Sequence, residues 1–477
     1  MTKLRIRFSL LAVILIANLI LFTGISNSKP SEITAGDIEQ LRILSPNNAP
    51  LKIVIADMGR SNEKLVRNIV RTAIEINESG DLPKEETVRA FILTSNANII
   101  SAQLKRAGID DEKIKKYVEI SDDALVFNDP WLQDFGEIAM AKLKSGSEPK
   151  LLILDSNRGF GLAEVPGALA KFWNCDYMKI NKNETSGGDH GGNIEVTPDD
   201  VLILGSTASE GLIKLFSELG YKDRMAVVDT KWLAVGHCDE YLSVVPNPKS
   251  PSGYTIFTAD PFLALEIIKQ ADEKELSENT SGRYRDYMVI IHRLLNKKDT
   301  AGAASDPDGE KELIKAAQAM ITSNRQIKKI IDANVNLLMK KIDAVRGTPE
   351  GMHSIVPLPV IFWSGGRTTR SIAFLPGAVN LLSVRDHLII PDQHCGAFNN
   401  YIRGIVKKAG FKSHFVEDMY YHDLMGEIHC GTNVLRHPNR YVVAPEHLPE
   451  LYKRFMKARE TLDGEKKRTM RVLNQGK

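Results

Sequence analysis

The chain has 477 residues, of which 43% are hydrophobic and 26% charged, the proportions of an ordinary soluble globular protein. Lys and Arg number 62 against 60 Asp and Glu, so a formal net charge of +2 gives no indication of a nucleic-acid partner. The length exceeds what one minimal core needs and by itself suggests two or three domains.

The N-terminal segment has the layout of a secretory signal peptide. Lys3, Arg5 and Arg7 precede an apolar run from Phe8 to Phe22, which is followed by small and polar residues. The run is short for a bilayer span, but no small-x-small triplet closes it. We therefore assign residues 1–30 to a signal peptide or an uncleaved N-terminal membrane anchor, and expect an exported protein, secreted or periplasmic.

Beyond a polar linker at residues 31–50, apolar runs alternate with amphipathic stretches, which predicts an α/β fold. Helices are predicted at 62–76, 99–107, 210–219 and from Pro261 onward. Strands are predicted at 51–56, 89–94, 117–127, 150–155, 193–196, 201–204, 225–229, 241–245 and 254–257.

The sequence changes character between about residues 272 and 347, where charged residues and helical periodicity predict a helical insertion with a flexible loop at 301–309. Its heptads are irregular, so we expect it to pack on the core and not to form a free coiled coil. Strands resume at 360–363, 382–390 and 413–417, with a helix at 400–409. The main domain is expected to span residues 51–455, followed by a basic tail at 456–477.

One segment near the C-terminus, Met425–Asn433, reads M-G-E-I-H-C-G-T-N. The alternation at 427–429 predicts a strand that runs into a Gly-Thr-Asn turn, with Cys430 at the exit of the strand and facing a cleft. The four cysteines, Cys175, Cys238, Cys395 and Cys430, would suit two disulfides in an oxidising compartment. Their wide spacing favours a free Cys430.

Two further segments carry groups that would act with a cysteine nucleophile, N-D-P-W-L-Q-D-F-G-E at 128–137 and V-G-H-C-D-E at 235–240. Asp134 and Asp239 suit bidentate pairing with a guanidinium, which is planar and permanently charged. His237 would transfer protons while Cys430 attacks the guanidino carbon, giving a covalent thiouronium and then a ureido product.

Each of these residues also has a structural interpretation. Asp134 could cap a turn, and Trp131 could be a core aromatic. His237 and Asp239 could form a structural hydrogen-bonded pair or a set of metal ligands. Their joint occurrence with Cys430 favours the catalytic interpretation.

The segments Trp131–Glu137, Val235–Glu240 and Gly426–Asn433 resemble the signature blocks of the protein-arginine deiminase family. Residues 191–198 and 376–380 resemble its intervening blocks, so the resemblance extends in order from about residue 50 to about residue 440. It implies a pentein fold, a propeller of five ββαβ-type modules, and hydrolytic deimination of arginine in proteins or peptides to citrulline with release of ammonia. It also implies that Trp131 packs along the stem of the substrate arginine and that Arg158 holds a backbone carbonyl of the substrate.

Animal members of the family need calcium, and the resemblance implies part of their ligand sets. One set comprises Gln133, Glu137 and Glu195 with backbone carbonyls at Gly191 and Ile194, oxygen donors that suit Ca²⁺. A second set would include Asp155 and Asn157. Phe135 stands there in place of an acid, so we expect the second site to be incomplete.

Other functions remain open. The chain could be a deiminase of free arginine or agmatine, although a free-arginine enzyme should also present basic residues to the α-carboxylate. It could instead be a non-catalytic pentein that binds arginine-rich partners. A Cys-His protease is disfavoured because two converging acids would repel an oxyanion. The expected partners are arginine-containing proteins or peptides and no nucleic acid, with membrane contact only through the N-terminal segment.

Overall fold

The structure is a computed structural model that describes residues 30–121, 127–146, 148–159, 161–181, 187–306, 309–347, 353–364 and 370–444. The predicted signal peptide or anchor, apart from its last residue, and the basic tail lie outside these residues. Within them, no helix is long and apolar enough to cross a bilayer.

The described residues form a mixed α/β fold, as predicted. The strands are β1 (Ile38–Ile43), β2 (Asn48–Ala56), β3 (Arg89–Leu93), β4 (Val118–Ile120), β5 (Gly136–Leu143), β6 (Lys150–Asp155), β7 (Asp176–Lys179), β8 (Ile194–Val196), β9 (Leu202–Gly205), β10 (Met225–Val228), β11 (Leu242–Pro246), β12 (Tyr254–Asp260), β13 (Ser354–Pro359), β14 (Phe362–Ser364), β15 (Ser371–Ala373), β16 (Leu382–Val384), β17 (His387–Pro391), β18 (Lys412–Val416) and β19 (Thr432–Tyr441). The helices are α1 (Glu63–Glu78), α2 (Ala97–Arg106), α3 (Asp111–Tyr117), α4 (Val165–Trp173), α5 (Glu210–Phe216), α6 (Pro261–Gln270), α7 (Glu273–Glu278), α8 (Gly282–Leu295), α9 (Glu310–Arg346), α10 (Gly396–Lys408) and α11 (Met419–His422).

Five of the sheets in the described residues repeat one ββαβ pattern, in which two antiparallel strands are followed across a helical crossover by a strand parallel to the second. We number these sheets module 1 (β5-β6-β7), module 2 (β8-β9-β10), module 3 (β11-β12-β13), module 4 (β16-β17-β18) and module 5 (β19-β2-β3). The middle strand of each module is largely buried, which explains the apolar runs that predicted these strands.

Module 5 joins the two ends of the described chain. Its first strand, β19, is the last in sequence and pairs antiparallel with β2, near the N-terminal end. The C-terminal strand therefore has its place in a sheet begun by the N-terminal part of the fold.

The predicted linker at residues 31–50 is wrong for most of its length, because it contains β1 and the start of β2. Strand β1 pairs with β5 at the edge of module 1, and the side chains of Ile38, Leu41 and Ile43 are buried. The register shifts between Ile38 and Gln40, which breaks the strict alternation of a strand. That irregularity hid the strand in a segment that otherwise looks polar.

Other predicted boundaries also change. The predicted strand at 117–127 shrinks to β4, because Tyr117 ends α3, and residues 122–126 lie outside the described part. The strand predicted at 382–390 is a hairpin of β16 and β17, turning at Arg385 with a φ of 55°. The Cys430 segment is a turn that precedes β19, so the cysteine lies before a strand and not at the exit of one.

The helical insertion is confirmed. Helices α7, α8 and α9 lie within the crossover from β12 to β13 of module 3, and their apolar faces join its core. Asn324 of α9 is fully buried and pairs with the backbone of Phe362: its Nδ2 donates to the carbonyl at 2.6 Å and its Oδ1 accepts from the N–H at 2.8 Å.

Replacing Asn324 by Ala should therefore destabilise the whole domain. The change leaves a buried N–H and a buried carbonyl of Phe362 unpaired, at a cost of about 1–3 kcal/mol for each group. Urea unfolding followed by circular dichroism measures the loss, with Asn336→Ala at an exposed position of the same helix as control. Equal stability of the two variants would contradict the packing of the insertion on the core.

Candidate active site

All five modules contribute to one cluster of polar residues, and each contribution comes from the segment that leads into the first strand of its module. These are Asp134 in the 3₁₀ turn Leu132–Phe135 before β5, the turn Gly191–Asn193 before β8, His237 and Asp239 at the turn Cys238–Glu240 before β11, Asn380 before β16, and Cys430 before β19. The predicted residues Asp134, His237, Asp239 and Cys430 are thus brought together, from positions far apart in sequence.

The convergence is measured at Gly192. A Cβ atom at this glycine would lie 2.6 Å from His237 Nδ1, 3.1 Å from Asp239 Oδ2 and 3.3 Å from Asp134 Oδ1. Any side chain at 192 would fill the space that these three groups share, so the close approach requires glycine.

Cys430 is held at both its backbone and its thiol. Asn380 Nδ2 donates to Cys430 Sγ at 3.2 Å, while Asn380 Oδ1 accepts from the Cys430 N–H at 3.2 Å. The thiol also lies 3.4 Å from Asp239 Oδ2. Burial, reinforced by the charges of Asp239 and Asp134, raises the pKa of Cys430 well above its ordinary value. Both effects favour the protonated form of the thiol. The four cysteines all lie in described segments and are free, as predicted for Cys430.

The two aspartates each present one oxygen without a hydrogen-bond partner. Asp134 Oδ1 and Asp239 Oδ1 are buried and accept no hydrogen bond from any described residue. The other oxygen of Asp239 accepts from His429 Nδ1 at 3.0 Å, and that of Asp134 pairs with Arg158. Burial opposes ionisation of Asp134, but His237, His190 and Arg158 together lower its pKa to about 2. A buried carboxylate oxygen without a partner requires a hydrogen-bond donor. A cation with several N–H groups could donate one hydrogen bond to Asp134 Oδ1 and another to Asp239 Oδ1.

His237 is oriented for proton transfer. Its Nε2 lies 2.7 Å from the carbonyl oxygen of Gly187, which can only accept, so this nitrogen carries a hydrogen. Its Nδ1 lies 3.7 Å from Asp134 Oδ1. Burial opposes protonation, but the charges of Asp134, Asp239 and Glu240 outweigh it and raise the pKa of His237 above its ordinary value. Nδ1 can therefore hold a proton that faces the cluster.

Trp131 and Arg158, the two predicted substrate-binding residues, both border the cluster. The Trp131 ring lies 5.2 Å from the ring of Tyr421, and a Cβ at Gly426 would approach it to 2.5 Å. The indole thus lies against the cysteine segment. Arg158 points inward, pairing with Asp129 at 2.9 Å and with Asp134, so its guanidinium occupies one oxygen of a predicted substrate ligand.

Four residues were missed by the sequence reasoning: Asn380, His190, His429 and Asp129. Asn380 ends a block that resembles the family, and His429 precedes the nucleophile, so both carried a usable signal. His190 and Asp129 act through Arg158, a contact between distant segments, and nothing in the local sequence indicated it.

The first predicted calcium set forms a single cavity. Gln133, Glu137, Ile194 and Glu195 line it together with His429 and Arg436. Gly191 is not among the described residues that line this cavity, although a Cβ at Gly191 would lie 2.1 Å from the carbonyl oxygen of Gln133.

The charges in this cavity fit a hard cation. Burial and the repulsion of Glu195 raise the pKa of Glu137 well above its usual value, and burial raises the pKa of Glu195 to about 7. Arg436 compensates in part, although burial lowers its own pKa to about 10. A divalent cation held by these carboxylate and amide oxygens would remove the repulsion.

The second predicted calcium set does not fit. Asp155 Oδ1 accepts from the backbone N–H of Asn157 at 2.7 Å, so it closes its own turn. Phe135, which stands in place of an acid, is buried in an apolar cluster. The prediction that this site is incomplete is consistent with these contacts.

Comparisons with known proteins found a matching family model, curated relatives and solved structures. Residues 216–441 match the family model described as protein-arginine deiminase (PAD). Protein-arginine deiminase type-3 of Mus musculus is 27% identical over 344 residues, and type-4 of the same organism is 28% identical over 346 residues. Each match covers 65% of this chain and 47% of the relative, so the chain spans about half the length of the curated relatives it matches. The solved structure of C. jejuni agmatine deiminase aligns over 84% of this chain and 98% of its own, with a TM-score of 0.47 and 13% identity.

The chain is thus similar to protein-arginine deiminases, and the resemblance seen in its sequence blocks is confirmed by the family model and the curated relatives.

The environment of Cys430 leads to a prediction for its acidity. Replacing Asp239 by Asn removes the charge nearest the thiol, so the pKa of Cys430 should fall. Iodoacetamide alkylation of Cys430, followed by peptide mass spectrometry across pH, should show its midpoint at lower pH. Asp199→Asn, which removes a carboxylate paired with Arg346, serves as the control. A midpoint that stays unchanged or rises would be inconsistent with the assigned role of Asp239.

Proposed function

We propose that this protein hydrolyses the guanidino group of arginine residues in proteins or peptides, giving citrulline and ammonia. The convergence of Asp134, Asp239 and His237 around Gly192, next to Cys430, carries the proposal. A guanidinium between the two free carboxylate oxygens would satisfy both and place its carbon near the thiol.

The substrate itself would activate the nucleophile. A guanidinium between Asp134 and Asp239 offsets the negative charge that keeps Cys430 protonated, so its pKa falls on binding. The Cys430 thiolate then attacks the guanidino carbon, and protonated His237 gives its proton to the departing nitrogen, which leaves as ammonia. Neutral His237 next removes a proton from water, whose oxygen attacks the thiouronium. The C–S bond then breaks and the new hydroxyl passes its proton to the departing sulfur, which regenerates the Cys430 thiol and leaves the neutral ureido product.

The cavity beside Cys430 favours a peptide over free arginine. Its described lining residues include Phe362, Ile372 and Met425 and contain no lysine or arginine that could pair with an α-carboxylate. Leu424 and Met425 near its rim are 46% and 51% exposed, an apolar surface available to residues flanking the target arginine. The names of the curated relatives also support a protein substrate.

One observation favours agmatine as a second candidate. Glu427 lines the same cavity, and its Oε2 is buried without a hydrogen-bond partner among the described residues. The ammonium group of agmatine could donate to this oxygen. Agmatine therefore belongs in the same assay.

We further propose that Ca²⁺ binds through Gln133, Glu137 and Glu195, with backbone carbonyls at Gly191 and Ile194. When bound, calcium would supply positive charge that keeps both glutamates ionised. Glu195 Oε1 lies 3.5 Å from His429 Nε2, and His429 Nδ1 contacts Asp239, so the cavity borders the substrate ligands directly.

Two wider expectations are also proposals. The five ββαβ modules support a pentein propeller, in which each module is one blade around the cluster. The charged and apolar pattern of residues 1–30 supports export, to the periplasm or beyond the cell, with cleavage or anchoring of that segment as alternatives.

The first experiment measures citrulline or ureido product and ammonia from a blocked arginine peptide, free arginine and agmatine. We expect turnover with the blocked peptide, and complete loss in Cys430→Ala because the covalent step is removed. Cys175→Ala, at another buried cysteine, is the matched control and should retain activity. Turnover with agmatine alone would reassign the substrate, and no turnover by folded, reduced protein with any guanidine would refute a deiminase.

Calcium binding is tested separately by isothermal titration of chelator-treated protein. Glu195→Gln should weaken Ca²⁺ binding severely, because it removes one of two charged ligands in the first set. Asp155→Asn should leave the affinity unchanged, since the second set is incomplete. The opposite pattern would assign calcium to the second site, and the absence of binding in the wild-type protein would end the calcium proposal.

A further inference from the structure

Three buried side chains in the cluster form a group that the deimination chemistry does not use as a unit. Asp134, His190 and His237 each offer one ligand atom, and these atoms all lie within 4.8 Å of one another. The three residues are 5%, 4% and 1% exposed. The two imidazole rings are nearly perpendicular, with centroids 6.2 Å apart.

The hydrogen bonds fix which ring nitrogens are free to bind. The carbonyl of Gly187 takes the Nε2 hydrogen of His237, so in the neutral ring the Nδ1 lone pair is directed toward Asp134 Oδ1, 3.7 Å away. Arg158 can only donate, so in the neutral ring of His190 the Nδ1 atom, 3.0 Å from Arg158 Nη1, also carries a lone pair. That atom lies 3.6 Å from Asp134 Oδ2.

With His237 neutral, two lone pairs and a carboxylate are directed at one another in a buried site, which requires a positive charge among them, either a proton on His237 or a bound cation. Arg158 supplies part of this charge, through its contacts with Asp134 and His190. His237 Nδ1 and Asp134 Oδ1 still have no hydrogen-bond partner among the described residues. The group is therefore incompletely satisfied by the cation that the chain itself provides.

The identity of the donors selects the kind of ion. Two imidazole nitrogens and one carboxylate oxygen are a common zinc ligand set that leaves a fourth position open, whereas Ca²⁺ takes oxygen ligands alone. A metal-bound histidine usually donates the N–H of its other ring nitrogen to a carbonyl or carboxylate, which fixes the orientation of the ring. His237 makes such a bond, from Nε2 to the carbonyl of Gly187.

We propose that Asp134, His190 and His237 form a site for Zn²⁺ or a similar first-row divalent ion, distinct from the proposed calcium cavity and independent of the Cys430 thiol. A metal ion there replaces the Arg158 guanidinium on Asp134 and excludes the guanidinium of a substrate. Zinc and guanidine are therefore mutually exclusive ligands. The inhibitory consequence rests on the proposed function, whereas the metal site itself does not.

The experiment titrates the chelator-treated full chain with Zn²⁺, using a chromophoric chelator as competitor, and records the visible spectrum of Co²⁺ as a second probe of coordination. Cys430→Ala should bind one equivalent as tightly as wild type. His190→Asn should weaken binding by more than the roughly 10–100-fold that the loss of an outer-shell partner costs. The matched control is His394→Asn, a histidine elsewhere whose positive φ suits asparagine.

Arg158→Gln gives an independent prediction of opposite sign. Removing the competing guanidinium should tighten zinc binding, because Asp134 and His190 no longer have to release it. In Cys430→Ala, which cannot turn over substrate, a blocked arginine peptide should raise the apparent dissociation constant for Zn²⁺ in proportion to its concentration.

Several outcomes would overturn the proposal. Absence of stoichiometric binding to wild type would do so, as would binding that survives in His190→Asn and disappears in Cys430→Ala, which would assign the metal to the thiol. Should His190→Asn fail to fold by circular dichroism, unchanged or weaker binding in Arg158→Gln decides against the site. Zinc binding with this pattern in a protein that turns over no guanidine would keep the site and overturn its inhibitory role.

Discussion

Buried negative charge is the constraint on which the centre of this structure depends. Asp134 and Asp239 are almost fully enclosed, and Glu240 and Glu427 lie close to the same thiol. Burial raises the pKa of each of these two glutamates to about 8, so they reduce the charge by taking up protons. Asp134 does not, because the cations around it hold its pKa low. A cation must therefore compensate the buried charge of the two aspartates, and the chemistry of the site depends on the identity of that cation.

Several cations are available, and they have different consequences. In the proposed reaction, a proton on His237 would provide the acid for the departing nitrogen. The Arg158 guanidinium occupies one oxygen of Asp134 and leaves the other without a partner among the described residues. In the proposed reaction, a substrate guanidinium on that second oxygen would bring its carbon to Cys430 and lower the pKa of the thiol. Under the proposed function, the cation beside Asp134 would therefore set the protonation state of Cys430.

Features of the fold and the site that are encoded in a local stretch of sequence could be predicted, whereas those that depend on contacts between distant segments could not. The middle strands of the modules were predicted because burial on both faces leaves an uninterrupted apolar run, as in β6 and β9. Asp134, His237, Asp239 and Cys430 lie in local blocks, so the resemblance located them. The alternation before Cys430 had another origin: Glu427 accepts from the Gly377 N–H and His429 contacts Asp239, so these polar residues follow partners across the site and not the faces of a sheet. The Arg158 side chain points into the cluster because it forms ion pairs with Asp129 and Asp134. These contacts join segments that are distant in sequence, so no local pattern predicts them.

The order of the chain explains how such a charged centre can be assembled. Each module supplies one short segment. The first three modules bring together carboxylates that repel one another, and several of their polar atoms have no hydrogen-bond partner among the described residues. Cys430 lies in the turn before β19, and β19 completes module 5 by pairing with β2. Asn380 of module 4 bonds both the backbone and the thiol of Cys430 and donates to the Asp239 carbonyl of module 3. Placement of the nucleophile is therefore coupled to closure of the fold, because the strand that positions the cysteine is the one that joins its two ends.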